Sequence, residues 1–153
     1  MARIDWKAAM IAGLIAGLVF LILEMMLAWL VMGMSPWAPP RMMAAIVLGK
    51  EVLPPPASFD AAIVGVAMAL HFALSIAFAL VFALIAGRLG LWPAIAGGAI
   101  YGLAIYGIDF YGFTAIWPWF ADARNWISIL SHAVFGIVLA AAYKRLQGRA
   151  AAA

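Results

Sequence analysis

Cysteine is absent from this chain of 153 residues, and charged residues make up only 10% of it, against 69% hydrophobic residues. The absence of cysteine excludes disulfide bonds, thiolate metal ligands and cysteine nucleophiles. The scarcity of charge excludes a soluble globular domain. Glycine-rich phosphate loops and metalloprotease motifs are also missing, and neither Ser75, four residues after His71, nor Ser131, next to His132, makes a credible nucleophile–base pair. The sequence therefore does not favour an enzyme.

The chain is basic, with a pI of about 9.6, but it has no basic patch interleaved with aromatic residues, so we expect no nucleic-acid partner. Its basic residues instead divide between the two sides of a bilayer. Six fall on the side of the termini (Arg3, Lys7, Arg88, Lys144, Arg145, Arg149), and three fall on the other side (Arg41, Lys50, Arg124). The positive-inside rule predicts that both termini are cytoplasmic.

Four apolar runs, at about 8–32, 61–86, 93–116 and 126–143, are each long enough to cross a bilayer, which needs roughly 20 residues. The first run is too long and too lightly charged at its front for a secretory signal, and it lacks a small-residue cleavage site, so we expect it to remain as a helix. The prediction is an all-α polytopic membrane protein, with residues 1–153 as a single domain. The four spans form an antiparallel bundle in contact with the lipid bilayer, and residues 144–153 form a cytoplasmic tail.

Seven tryptophans all fall at or near the ends of these runs, as expected of rings that sit at the membrane surface. The predicted interface anchors are Trp6, Trp29, Trp92, Trp117 and Trp126. Between the first two spans, prolines flank a segment at about 41–53 that has one apolar and one polar side. This pattern predicts a short interfacial helix that covers the outer end of the bundle. A gate or a partner's docking surface is the alternative.

The first and third spans share one frame of two glycines followed by an acid. These residues are Gly13, Gly17 and Glu24 in the first span, and Gly98, Gly102 and Asp109 in the third. At about 100° per residue, each set falls on one helical face. Glycines spaced four apart favour close helix packing, and a carboxylate at membrane depth is costly and usually functional. We therefore expect both acids to lie on packing faces rather than lipid faces.

Each of these spans is followed by a span that carries one of the only two histidines, His71 and His132. The order is consistent with two repeated hairpins related by an axis along the membrane normal. Counting about 1.5 Å per residue from the outer boundaries places Glu24, His71, Asp109 and His132 roughly 8 to 16 Å below the outer surface. We expect the four side chains to converge in the outer half of the bundle.

Three interpretations of this cluster remain open at this point. The four groups can form two acid–histidine pairs that serve structure alone. They can bind a metal or haem, since imidazole with carboxylate suits zinc, iron or oxidised copper, and two histidines on different helices suit haem b. They can also handle protons or ions, because carboxylate–histidine chains act as relays in membranes. The sequence does not favour a bound cofactor over the absence of one.

Several segments resemble the YagU-like family of small bacterial inner-membrane proteins. They are the stretch from Leu70 to Ala79, the stretch from Leu91 to Gly98, the opening from Gly13 to Gly17, and His132 early in the last span. The resemblance implies a four-span inner-membrane protein with histidines matching His71 and His132. That family has no established biochemical activity, so the resemblance implies no mechanism.

The predicted function is that of an accessory or stabilising subunit of a larger inner-membrane complex, such as a respiratory complex. The chain has almost no extramembrane mass, while its glycine and alanine faces suit packing against other transmembrane helices, in a hetero-complex or a homo-oligomer. The alternatives are a metal- or haem-binding protein or a proton- or ion-handling protein, each using Glu24, His71, Asp109 and His132.

Overall fold

The computed structural model describes residues 4–152, with side chains described for residues 4–148. It is all-helical: α1 spans Trp6–Leu30, α2 Ala38–Leu48, α3 Ala61–Ala86, α4 Leu91–Gly107 and α5 Trp126–Ala152. A π-helical turn at Ile108–Gly112 continues α4, and 3-10 turns cover Lys50–Val52, Phe113–Ala115 and Pro118–Ala123. Four helical stretches are long and apolar enough to cross a membrane: Trp6–Leu30, Ala61–Ala86, Leu91–Ala115 and Trp126–Gly148. The prediction of four spans with a shorter helix between the first two is confirmed.

Three of the long helices begin at a side chain that caps the first turn. Asp5 Oδ1 accepts a hydrogen bond from the Ala8 amide at 2.9 Å, and Asp60 Oδ1 accepts one from the Ala62 amide at 2.9 Å. Asn125 Oδ1 accepts from the amides of residues 127 and 128. Such caps satisfy amides that have no partner within the helix, so they fix where each apolar run becomes helical.

The bundle packs mainly through α1 against α3 and α5, and through α4 against α5. We call the end of the bundle that holds residues 6, 86 and 143 the terminal end, and the opposite end the loop end. The terminal end is filled by small side chains around the fully buried Tyr143. The buried alanines there include Ala8, Ala9, Ala12, Ala83, Ala86, Ala94 and Ala140. This end is therefore closely packed.

Both glycine pairs lie where two helices approach closely, as predicted from their spacing. A Cβ added to Gly13 would lie 2.8 Å from the Ser75 carbonyl oxygen on α3. A Cβ added to Gly102 would collide with the carbonyl oxygen of His132 on α5, and one added to Gly98 would collide with that of Gly136. In each hairpin, the glycine pair of the first helix thus packs on the face of the second helix that carries the histidine.

The contact partners of these glycines extend the repeat to the second helix of each hairpin. In α3 they include His71, Ser75 and Ala79, beside Ile76, and in α5 they are His132, Gly136 and Ala140. Both sets follow one frame, with a small residue four and eight positions after the histidine. This match supports the prediction of two repeated hairpins.

Several boundaries differ from the prediction. The segment expected to be helical at 41–53 forms a helix from Ala38 to Leu48. It ends there because Gly49 adopts a φ of 87°, a left-handed conformation that ends a helix. The expected tail at 144–153 instead continues α5 to Ala152. Arg3 and the side chain of Arg149, both used in predicting topology, lie outside the described residues.

Candidate functional site: a cavity at the loop end

A cavity of about 360 Å³ lies at the loop end, between the spans and next to α2. All four spans contribute to its walls, which are mostly apolar. The residues that matter for its chemistry are Phe20 and Glu24 from α1, Leu74 from α3, Asp109 and Phe110 from the π-helical turn, and His132 from α5. The site thus joins three of the four polar residues selected from the sequence.

Helix α2 covers this cavity with one apolar side. Met42, Met43 and Ile46 line the cavity, whereas Val47 is 62% exposed on the other side. The indole nitrogen of Trp119 donates a hydrogen bond to the Met42 carbonyl at 3.2 Å, which ties α2 to the loop that leads into α5. The helix therefore covers the loop end of the bundle, as expected of a segment that closes one end.

Glu24 is paired with a serine and not with a histidine. Its Oε1 accepts a hydrogen bond from the Ser128 hydroxyl at 2.9 Å. Its Oε2 is buried and has no hydrogen-bond partner among the described residues. A buried carboxylate oxygen without a partner is costly, so this atom is a natural contact for something the protein binds.

His132 is 6% exposed and lies between a backbone carbonyl and an acid. Its Nδ1 is 2.7 Å from the Ser128 carbonyl oxygen, so Nδ1 carries a hydrogen and donates it. Its Nε2 lies 3.7 Å from Asp109 Oδ2. The rings of Phe20 and Phe110 meet the imidazole edge-on, with centroids 4.8 and 5.4 Å away. One of the two expected acid–histidine pairs is therefore in contact, at a distance too long for the hydrogen bond that was expected.

His71 makes a different contact from the one expected. Its Nε2 is 2.9 Å from the Gly17 carbonyl oxygen and donates to it. Its ring stacks on Phe20 at a centroid distance of 5.6 Å. His71 and His132 both border a second cavity of about 50 Å³. The two histidines thus converge as predicted, with Phe20 in contact with both, but His71 does not pair with Glu24.

The metal or haem interpretation gains no support from this geometry. Within residues 4–148, no three histidine, aspartate or glutamate side chains are grouped so that they could hold a metal ion. Glu24 is turned towards Ser128, and the Nε2 of His71 is used by the Gly17 carbonyl. Ligation of one haem by both histidines would require that nitrogen to be free.

Sequence reasoning missed Ser128 and the aromatic wall of the cavity. Ser128 precedes His132 by four residues, so helical spacing alone places both on one face of α5. That spacing was the available signal.

The predicted tryptophan anchors do not all lie at the surface of the bundle. Trp6, Trp29, Trp92 and Trp126 are 47%, 59%, 76% and 57% exposed near helix ends, which suits the anchor prediction, whereas the half-buried Trp117 lines the cavity.

The polar end of the cavity has many acceptors and few donors. When neutral, His132 presents an Nε2 lone pair to the Asp109 carboxylate, so the two atoms need a proton or a donor between them. Asp122 also lines the cavity, and within residues 4–148 no lysine or arginine lines it. The nearby Arg124 donates to the Phe110 carbonyl at 2.7 Å. A carboxylate and an imidazole in contact, such as Asp109 and His132, can exchange a proton. Proton handling stays a prediction.

Comparisons of the chain with protein-family models, with curated proteins and with solved structures find no match in any of the three. The resemblance to the YagU-like family therefore stays a prediction.

Proposed function

We propose that this membrane protein binds a small amphiphilic molecule in the cavity at the loop end. The supporting observation is the cavity itself, whose volume of about 360 Å³ falls within the range of about 300 to 1,000 Å³ typical of ligand pockets. Apolar walls with a few convergent polar groups are also typical of such pockets. The rest of the bundle is packed closely by alanine and glycine, so an open space of this size lowers stability and needs a reason.

A hydrogen bond joins α3 and α4 on the side of the cavity that faces the terminal end. There the Tyr101 hydroxyl donates a hydrogen bond to the Phe78 carbonyl at 2.9 Å. Nearer the loop end, Leu70 and Leu74 of α3 and Phe113 after α4 line the cavity instead of closing the gap. An amphiphile in one leaflet therefore has its access between α3 and α4, beneath α2.

Leu74→Trp tests this proposal because it places a large ring in the cavity. We expect the wild-type protein, extracted gently from native membrane, to carry a bound small molecule in native mass spectrometry, and the variant to lose it. The matched control is Leu84→Trp, the same change on the same helix at a position that is 60% exposed on the outer surface of the bundle. This control should retain the molecule. Loss in both variants, or retention in both, would argue against the cavity as the binding site.

We also propose that the protein resides in a bacterial inner membrane with both termini in the cytoplasm. The distribution of basic residues in the fold supports this orientation. Lys7, Arg88, Lys144 and Arg145 lie towards the terminal end, whereas Arg41, Lys50 and Arg124 lie towards the loop end. The cavity then opens to the outer leaflet. Labelling of single cysteines introduced at Arg88 and Lys50 with a membrane-impermeant reagent tests the orientation, and only the site at Lys50 should react in intact cells.

A second candidate function is the accessory subunit predicted from composition. Three glycines favour it. An added Cβ at Gly65, Gly97 or Gly107 has no described residue within 4 Å, so these positions leave open places where another helix can pack. We expect Gly97→Leu to abolish migration with a larger complex in native gels while leaving thermal stability unchanged. If the wild-type protein migrates alone, this candidate is wrong.

A further inference from the structure

The geometry points to a specific ligand class: we propose that the cavity binds a lipophilic amine in its protonated form. The ammonium group lies against Glu24 and the pair formed by Asp109 and His132, and the chain lies among the apolar walls. This inference rests on the proposed binding function and names the chemistry of its ligand. Three observations carry it: the unpartnered acceptors, the charge of the lining residues and the aromatic rings.

The unpartnered acceptors require a donor. Glu24 Oε2 is buried without a hydrogen-bond partner, although its neighbour Oε1 is satisfied by Ser128. The His132 Nδ1 hydrogen is used by a backbone carbonyl, which leaves its Nε2 facing Asp109 Oδ2 at 3.7 Å. Glu24, Asp109 and His132 all line the same cavity. A primary ammonium carries three N–H donors and no acceptor, so it satisfies this set, whereas a carboxylate or an ether does not.

The charge of the lining residues selects a cation. Glu24, Asp109 and Asp122 line the cavity together with His132, and no lysine or arginine of the described residues lines it. An anionic ligand would meet like charges at low dielectric, which is strongly unfavourable. A phospholipid is disfavoured for the same reason, since its phosphate would have no cationic partner there. The ligand is therefore a simple amine rather than a lipid with a phosphate headgroup.

Aromatic rings surround the place where the ammonium would lie. Phe20 and Phe110 both contact His132, and Phe113 and Trp117 line the same cavity. Aromatic faces attract cations, and more strongly when water is excluded. The cavity volume of about 360 Å³ is within the range of pockets that bind small molecules. Decylamine, an amine on a ten-carbon chain, is a suitable probe.

The experiment measures binding of decylamine, decanol, decanoate and decyltrimethylammonium to the full-length protein in nanodiscs of uncharged lipid, with empty nanodiscs to subtract partitioning. We expect saturable binding of decylamine at one molecule per chain, at least tenfold tighter than decanol and with no binding of decanoate. Decyltrimethylammonium has the charge but no N–H donor, so it should bind more weakly than decylamine. Glu24→Gln should weaken decylamine binding at least tenfold and leave decanol binding unchanged. The matched control Glu51→Gln, an exposed carboxylate that does not line the cavity, should change neither.

The outcomes separate this inference from the proposed function. Equal binding of decylamine and decanol, blocked by Leu74→Trp, would overturn the amine and leave the binding function intact. Tighter binding of decanoate would also overturn the amine. No saturable binding of any probe, with Leu74→Trp indistinguishable from the wild type, would overturn both. Should Glu24→Gln fail to fold, Asp109→Asn provides the same comparison, and a decylamine affinity unchanged in this variant would contradict the inference.

Discussion

Gly102→Ala should destabilise the bundle by about 3 kcal/mol or more. The added Cβ would collide with the carbonyl oxygen of His132 on α5, and it would lie 3.2 Å from the Gly136 amide nitrogen. Neither backbone atom can move without separating α4 from α5, which is the most extensive helix contact of the fold. Thermal unfolding in a single detergent measures the loss.

Gly97→Ala is the matched control for this change. It lies on the same helix, and an added Cβ there meets nothing within 4 Å. Since alanine favours helix over glycine by about 1 kcal/mol, this variant should be as stable as the wild type or slightly more stable. If the two variants unfold at the same temperature, α4 and α5 do not pack closely at Gly102.

His132→Ala should cost about 3 kcal/mol of stability, because it removes a buried ring from the centre of the loop-end cluster. The change deletes the hydrogen bond to the Ser128 carbonyl and the edge-on contacts with Phe20 and Phe110. It also leaves Asp109 without its partner. Thermal stability of the purified variant is the measurement.

The control for the histidine is Leu84→Ala, since Leu84 is 60% exposed on the outer surface of the bundle. A change there removes few contacts within the protein and should lower stability by less than about 1 kcal/mol. His71→Ala should also exceed this control, because His71 is 8% exposed and donates to the Gly17 carbonyl. Histidine variants as stable as Leu84→Ala would show that the histidines do not lie inside the bundle.

The fold followed from the sequence because a bilayer imposes a length on every apolar run that crosses it. The glycine faces followed as well, since residues four apart in a helix share a face whatever the rotamers of their neighbours. Gly13 and Gly17 against α3, and Gly98 and Gly102 against α5, all lie as their spacing predicts. Boundaries were less predictable, because Gly49 ends α2 before the proline at 54.

The pairing of the polar groups could not be predicted in the same way. Helical spacing fixes where a Cα lies, but the end of a long side chain can contact different partners in its different rotamers. Glu24 reaches Ser128 rather than His71, and His71 finds the Gly17 carbonyl. Asp109 lies in a π-helical turn, which changes the direction of the residues that follow it, and no local pattern of sequence revealed that turn.

The cavity could not be predicted from the sequence for a further reason. Its walls come from all four spans, and α2 covers it through contacts such as Trp119 with Met42, which are 77 positions apart in the chain. A gap in packing depends on how all these elements fit together. Patterns along one helix report only which side is apolar.

Methionine methyl groups offer the most direct test of the claim that this cavity binds a small amphiphile. Met42 and Met43 line the cavity, whereas Met10 and Met26 are 41% and 50% exposed and do not line it. With ¹³C-methyl methionine in nanodiscs, titration with decylamine should shift the signals of Met42 and Met43 in a saturable way and leave those of Met10 and Met26 in place. Equal shifts at all four methyl groups, or shifts confined to Met10 and Met26, would contradict the account.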